Sequence, residues 1–95
     1  MEVVCIKDDD KPKKAERLIT REEDESLLIF DPDTGSIKVL NETAGTIWNS
    51  IDGNISVRDI IEDIIKENPD EDEQRIREDV VRFLKELQEL GYVTS

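Results

Sequence analysis

The chain has 95 residues, a formal net charge of −12 and no histidine. This length allows one domain with a single modest core. The excess of acidic over basic residues, 25 against 13, disfavours nucleic acid and anionic lipid as partners, because either contact would bring like charges together.

The missing histidine removes the commonest general base and metal ligand. Cys5 is the only cysteine, which excludes an intramolecular disulfide and a cysteine-cluster metal site. No apolar run approaches the ~20 residues of a membrane span, and the N-terminus lacks a signal-peptide pattern. These features predict a cytoplasmic protein that makes no membrane contact.

The first fourteen residues are predicted to form a flexible or weakly ordered arm. A short apolar patch at Val3–Ile6 is followed by a charged run that is broken by Pro12, and the run has no periodicity. The patch is interpreted as part of a mobile N-terminus or as an extra strand. We therefore place the domain itself at residues 15–95.

Three short strands are predicted next, at about residues 17–21, 27–30 and 36–40. Leu18, Ile19 and Thr20 supply the apolar and β-branched side chains of the first strand. The turn Asp31–Gly35 has the chemistry of a hairpin loop, because proline presets φ, aspartate bonds to nearby backbone and Gly35 tolerates a positive φ. The strands should form an antiparallel meander.

Three helices are predicted after the strands. Asn41 caps the first, Ser56 caps the second, and the third begins near Asp70 and ends at about Leu90. Trp48 lies in the apolar stripe of the first helix, where packing in the core is favoured over stacking on a cofactor. The predicted fold class is α+β and winged-helix-like, with a three-stranded antiparallel sheet followed by three helices.

The third helix has a lopsided apolar surface. At 100° per residue, its core stripe consists of Ile76, Val80, Phe83, Leu87 and Leu90. Leu84 falls at one margin of the stripe, with Val81 and Arg77 further round on that side, while Asp79 and Glu86 lie on the opposite margin.

No pattern in the chain predicts catalysis or metal binding. The acidic runs at residues 8–10, 22–25 and 70–73 lack the spacing of a calcium loop. There is no glycine-rich phosphate loop and no nucleophile paired with a base. We expect neither an enzyme nor a protein with a metal or another cofactor.

The predicted set of three strands and three helices is typical of winged-helix domains, which often bind DNA. A regulatory module that binds DNA or another protein is therefore the alternative function. The basic residues of the third helix are accompanied by at least as many acidic ones. A DNA-reading helix needs a net positive face to displace counterions. The charge pattern therefore disfavours DNA.

The remaining prediction is peptide capture by strand addition. An unpaired strand edge offers backbone donors and acceptors, and a neighbouring helix offers side-chain pockets. The predicted peptide-binding residues are Ser36, Ile37, Lys38, Val39, Leu40, Arg77, Val81 and Leu84. The pattern leaves open whether Ile37 and Val39 or Lys38 and Leu40 face the helices.

Four segments in order carry a resemblance to a known family. They read SIKVLNETAGTIW, then IDG at Ile51–Gly53, then SVRDIIEDI, and finally DVVRFLKELQELGYV. With these segments the chain resembles the PqqD-like family over roughly residues 18–93.

The resemblance implies a small non-catalytic winged-helix-type domain that recognises precursor peptides of ribosomally synthesised and post-translationally modified peptides (RiPPs), including the precursor of the quinone cofactor PQQ. In that family the precursor's leader segment adds to the third strand and lies against the third helix. The domain then presents the leader to a modifying enzyme, often a radical SAM protein. By position, the strand here is Ser36–Leu40. The resemblance leaves the pathway open among PQQ, lasso and radical-SAM-modified peptides.

Overall fold

A computed structural model describes residues 6–94. The apolar patch at Val3–Ile6 is therefore mostly outside the described residues. The elements, in chain order, are β1 (Lys13–Lys14), β2 (Ile19–Glu23), β3 (Ser26–Asp31), β4 (Ser36–Leu40), α1 (Glu42–Ser50), α2 (Val57–Glu67), α3 (Glu73–Glu89) and β5 (Val93–Thr94). The predicted α+β class is confirmed.

The main sheet is an antiparallel meander with the order β2-β3-β4. Ile29 is paired with Lys38, and Leu27 is paired with Leu40. Side chains that are paired across strands lie on the same face of a sheet, and Leu27, Ile29 and Leu40 are all buried. Lys38 and Leu40 thus face the helices, which settles the register that the sequence left open.

The outer face of the sheet is apolar and exposed. Ile37 and Val39 are 62% and 63% exposed. Ile37 is paired with Phe30, which is paired with Ile19 on the next strand. All three of these side chains lie in one exposed row across the sheet.

The first strand of the meander lies two residues later than predicted. It is Ile19–Glu23, and Leu18 instead donates a backbone hydrogen bond to Ala15 O (3.3 Å) in the preceding turn. All five residues of β2 are exposed. The strand therefore has no burial pattern from which its boundaries can be predicted.

The hairpin between β3 and β4 forms as predicted. Gly35 has a φ of +74°, and its N–H donates to Asp31 O at 2.8 Å. The Asp31 carboxylate accepts from the N–H of Asp33 at 3.0 Å. It also accepts two hydrogen bonds of 3.2 Å from the guanidinium of Arg17. These bonds connect the segment before β2 to the turn that leads into β4.

Asp31 is 2% exposed, and its pKa is lower than usual. The hydrogen bond from Arg17 is the main cause, since it stabilises the charged carboxylate. Burial acts in the opposite direction, and the N–H of Asp33 adds to the lowering.

Side-chain caps start the helices. The Oδ1 of Asn41 accepts from Ala44 N–H at 2.8 Å, and the Oγ of Ser56 accepts from Asp59 N–H at 3.2 Å, as predicted. The third cap is Asp72 rather than Asp70. The chain first makes a turn in which Glu71 N–H donates to Asn68 O, and this turn delays the helix.

The core stripe of α3 differs from the predicted one. Its buried residues are Ile76, Val80, Leu84 and Leu87. Leu84 is 0% exposed and Leu90 is 46% exposed, so placing Leu84 at the margin and Leu90 in the core was wrong.

The turn after α3 explains why Leu90 is exposed. Gly91 has a φ of +76°, and Tyr92 N–H donates to Leu87 O at 2.9 Å. This turn folds Tyr92 and Val93 back onto the core, where both are buried, and leaves Leu90 outside. Trp48, 1% exposed, is a core residue as predicted.

The segment before β2 packs against the domain. Backbone N–H groups of Gly53, Val57 and Arg58 donate to carbonyl oxygens of this segment at 2.9–3.0 Å, and β1 is paired with β5. The carboxylate of Asp8 accepts two hydrogen bonds from Arg77 of α3. The sequence did not predict these contacts, and the flexibility of residues 1–14 stays a prediction.

Leu84→Ala should lower the free energy of unfolding by about 2–5 kcal/mol, because the substitution opens a cavity in the core. Leu90→Ala is the matched control and should change it by no more than about 0.5 kcal/mol, since Leu90 is half exposed. Urea unfolding of both variants measures the two values. Equal losses would contradict the observed stripe.

Asp31→Asn should destabilise the protein at pH 7. A lowered folded-state pKa means that the carboxylate stabilises the fold above the ordinary aspartate pKa of 3.8, and that this stabilisation is lost as the pH falls through the folded-state value. The difference between wild type and variant should therefore shrink below pH 3.8. Thermal unfolding across pH measures it.

Asp33→Asn is the control. The Asp33 carboxylate also lies near Arg17, at 3.5 Å, but the Asp33 side chain is 74% exposed whereas Asp31 is buried. It should have the smaller effect at pH 7. A difference between wild type and Asp31→Asn that grew on acidification would contradict the assignment.

Candidate functional site

The outer edge of β4 is a free strand edge within the part of the chain that the structure describes. β4 is hydrogen-bonded only to β3 there. An edge strand presents a row of backbone N–H and C=O groups that can pair with another extended chain. The five residues of β4 offer about 16 Å of such an edge.

The side chains of β4 divide between the two faces. Ile37 and Val39 point away from the helices. Lys38 is half-buried, and its Nζ donates to Glu86 Oε1 of α3 at 2.5 Å. Leu40 is 2% exposed and belongs to the core, whereas Ser36 is exposed and its N–H donates to Thr34 Oγ1.

The Lys38–Glu86 pair shows which margin of α3 lies beside β4. At 100° per residue, Asp79 and Phe83 lie within about 60° of Glu86 around the helix. Asp79, Phe83 and Glu86 therefore lie on the side of α3 that faces β4, which we call the groove margin. We call the space between this margin and the edge of β4 the groove.

The predicted helix residues are not on this margin. Val81 lies about 140° around the helix from Glu86. Together with Arg77, it borders a shallow depression that includes Lys85. The guanidinium of Arg77 is bound to Asp8. Leu84 is fully buried and has no surface to offer a peptide, so its prediction as a peptide-binding residue was wrong.

The groove margin was visible in the sequence only as a pair of acidic residues seven positions apart. Nothing local links Glu86 to Lys38, because the two residues are 48 positions apart in the chain. The apolar side chain of Val81, which lies outside the core stripe, was the stronger local signal, and it indicated the other side of the helix.

The charged side chains that border the groove are paired with each other. Lys38 is bound to Glu86, and Asp79 Oδ1 lies 3.3 Å from Arg82 Nη1. The groove is thus close to electrically balanced, although the chain as a whole carries a charge of −12. Backbone pairing and apolar contact are the interactions it can offer most readily.

The described residues contain no group of three or more His, Cys, Asp or Glu side chains that is placed to hold a metal ion. Among residues 6–94, no helix is both long enough and apolar enough to cross a membrane.

A protein-family model described as "Coenzyme PQQ synthesis protein D (PqqD)" matches residues 26–93. The chain belongs to the PqqD family. The match begins at the first residue of β3 and ends in β5. It therefore includes β4 and α3, the two sides of the groove, and leaves out β2 and the segment before it.

Two solved structures share the fold of this PqqD-family chain. One is titled "TbiB1 in Complex with the TbiA(beta) Leader Peptide", with a TM-score of 0.78, 18% identity, and coverage of 87% of this chain and 95% of that one. The other is titled "Lasso peptide synthetase B1 complexed with the leader peptide", with a TM-score of 0.77, 16% identity, and coverage of 90% and 99%. No curated protein is significantly similar in sequence.

The contact between β4 and α3 can be measured with a double-mutant cycle. Lys38→Ala, Glu86→Ala and the double variant should give a coupling free energy of about 0.3–1 kcal/mol in urea unfolding, the size expected for a partly exposed ion pair. The coupling should weaken at high salt, because ions screen the two charges.

The same cycle with Glu89→Ala in place of Glu86→Ala is the control. Glu89 is exposed one turn further along α3, and its effect should simply add to that of Lys38→Ala. If the Lys38–Glu86 cycle were also additive, α3 would not present the groove margin to β4.

Proposed function

We propose that this PqqD-family protein captures the leader segment of a RiPP precursor peptide by strand addition to β4. It then presents the bound leader to a modifying enzyme such as a radical SAM maturase, in PQQ formation or in another RiPP pathway. The observation that carries the proposal is the edge of Ser36–Leu40, which is unpaired among residues 6–94 and lies beside the groove margin of α3. The protein itself acts without catalysis.

Three points support the capture of a leader peptide at this edge. An added strand makes backbone hydrogen bonds along the edge, which supply affinity, while alternate side chains supply specificity. The family match includes both sides of the groove. The two structural neighbours are titled as complexes with leader peptides, and each shares the fold over most of this chain.

The proposed binding residues are Ser36–Leu40 together with the groove margin, in place of the face with Arg77 and Val81. A strand added to β4 has half of its side chains on the side of Lys38 and Leu40, which is the side of the helices. Those side chains would meet Asp79, Phe83 and Glu86. The other half would lie beside Ile37 and Val39.

No observation favours the DNA-binding alternative. Within α3, Arg77 is bound to Asp8, and Arg82 is bound to Asp79. Two of the basic side chains that would have to contact phosphate are therefore already paired with carboxylates. A helix with this charge balance would release few counterions from a duplex, in contrast to a DNA-reading helix.

Titration with a synthetic peptide that spans the leader segment of a precursor encoded beside this protein's gene tests the proposal. Amide NMR shifts should cluster at Ser36–Leu40. Hydrogen exchange should slow at alternate amides of this strand, because alternate N–H groups of an edge strand point outward. No binding at about 50 μM peptide, or shifts confined to other elements, would contradict strand addition.

Two neighbouring tryptophan substitutions identify the helix wall. Glu86→Trp places bulk on the groove margin and should weaken leader binding about tenfold, or by about 1.4 kcal/mol. Lys85→Trp is the matched control on the face with Val81 and should bind normally. If Lys85→Trp weakened binding and Glu86→Trp did not, the face with Arg77 and Val81 would be the wall instead.

A further inference from the structure

Within the described residues, β2 also has a free edge, on the opposite side of the main sheet from β4. It is hydrogen-bonded only to β3 there, and all five of its residues are exposed. A two-residue turn joins the paired residues Glu23 and Ser26. In such a hairpin the pair that closes the turn is hydrogen-bonded, and hydrogen-bonded pairs alternate with non-hydrogen-bonded pairs along the strands. The N–H and C=O groups of Thr20 and Glu22 therefore point away from β3, along the free edge.

A cavity of about 340 Å³ lies beside this edge, between the turn that follows β2 and the helix α1. Glu22 is paired with Leu27, which is buried in the core, so the Glu22 side chain lies on the face of the sheet that the helices cover. Leu27 lines the cavity, and so do Gly45 and Asn49 of α1. β2 and α1 thus form the two sides of this space, which we call the second groove.

The second groove is acidic. The carboxylates that line it are those of Glu22, Asp24, Glu25 and Glu42, and no basic residue from the described part of the chain lines it. Among residues 6–94, none of these four carboxylates is in an ion pair. The groove beside β4 differs in this respect, because its acidic side chains are paired with Lys38 and Arg82. The second groove therefore attracts a cation much more strongly than the first.

We propose that the edge of β2 binds an extended basic segment of the modifying enzyme. The segment adds to the sheet as a further strand and places a lysine or arginine side chain in the second groove. The inference rests on the proposed function, in which the enzyme must be held while the leader is bound. It adds the surface that holds the enzyme and the chemistry of the segment that binds there.

The alternation of side chains predicts the sequence pattern of this segment. The residue opposite Glu22 has its side chain on the same face as Glu22, so this residue carries the lysine or arginine. Its cation can donate charge-assisted hydrogen bonds to the carboxylates of the groove. The residue opposite Ile19 lies on the outer face of the sheet. It should be apolar, because Ile19 is 57% exposed and gains from being covered.

The arrangement of the two edges favours the enzyme as the occupant. β3 separates β2 from β4, so strands added at the two edges would lie about 19 Å apart. The leader and the enzyme can therefore be bound at the same time. A second copy of the chain fits poorly, because its own β2 carries the same acidic side chains, and like charges opposite each other destabilise a strand pair. A basic segment meets no such repulsion and is attracted by the net charge of −12.

Hydrogen exchange with mass spectrometry tests the proposal on a mixture of this protein, the synthetic leader peptide and the modifying enzyme encoded beside this protein's gene. The enzyme should slow exchange at residues 19–23, and the leader should slow it at Ser36–Leu40. The affinity of the enzyme should fall about tenfold between about 0.05 and 0.5 M NaCl, because ions screen the acidic groove. The affinity of the leader should change less, since its groove is close to electrically balanced.

Glu22→Lys reverses a charge in the second groove and should weaken enzyme binding about tenfold, with leader binding unchanged. Glu67→Lys is the matched control, because it makes the same change in net charge at an exposed position of α2 that does not line the second groove. It should bind the enzyme about as well as the wild type. Circular dichroism checks that both variants are folded.

A capped synthetic peptide of alternating valine and lysine provides a second measurement, independent of the enzyme. It should shift the amide NMR signals of Thr20 and Glu22, and a peptide of the same length with glutamate in place of lysine should not. Equal shifts with both peptides, or shifts confined to β4, would contradict a basic segment at the edge of β2.

The failures of the two proposals are distinguishable. Protection of Ser36–Leu40 by the leader, together with normal enzyme binding by Glu22→Lys, would overturn the assignment of β2 and leave strand addition to β4 intact. Equal weakening by Glu22→Lys and Glu67→Lys would also overturn it, because net charge alone would then explain the effect. Protection of residues 19–23 by the enzyme without any effect of the leader on β4 would overturn leader capture instead. No enzyme binding at all would overturn the assignment of β2.

Discussion

The register between β3 and β4 is the constraint on which the site depends. Leu40 is buried beside Leu27, and this places Lys38, two residues earlier, on the same side of the sheet. A slip of one residue would reverse every side chain of β4. Val39 would then enter the core, and Lys38 would lose Glu86. The backbone edge would remain, but the groove beside it would not have the same wall.

Local rules predicted the parts of the fold that local interactions form. The turn at Asp31–Gly35, the caps at Asn41 and Ser56 and the core position of Trp48 all follow from backbone conformation, side-chain capping or helical period. The three-strand, three-helix order follows from the same signals. The edge strand of the candidate site was therefore predictable from the sequence.

The helix wall was not predictable in the same way. Leu84 and Leu90 are both leucines on the apolar side of α3, and the turn at Gly91 leaves Leu90 exposed because Tyr92 and Val93 fold onto the core instead. The pairs Lys38–Glu86 and Arg77–Asp8 join residues that are 48 and 69 positions apart. No period or motif encodes such a pair. The contacts of the N-terminal segment were missed for the same reason, because they too join distant parts of the chain.

The exposed row of Ile19, Phe30 and Ile37 has a consequence for the protein when no peptide is bound. A free strand edge beside apolar side chains is a template for pairing with a second copy of the chain, which is the usual route to aggregation of sheet proteins. Such an edge needs a safeguard other than a blocking proline or a covering helix, since either would also exclude a peptide. The charge of −12 supplies one, because two copies repel each other at long range while a short peptide of low charge does not. The acidity therefore opposes contact between two copies of the chain along the edge of β4.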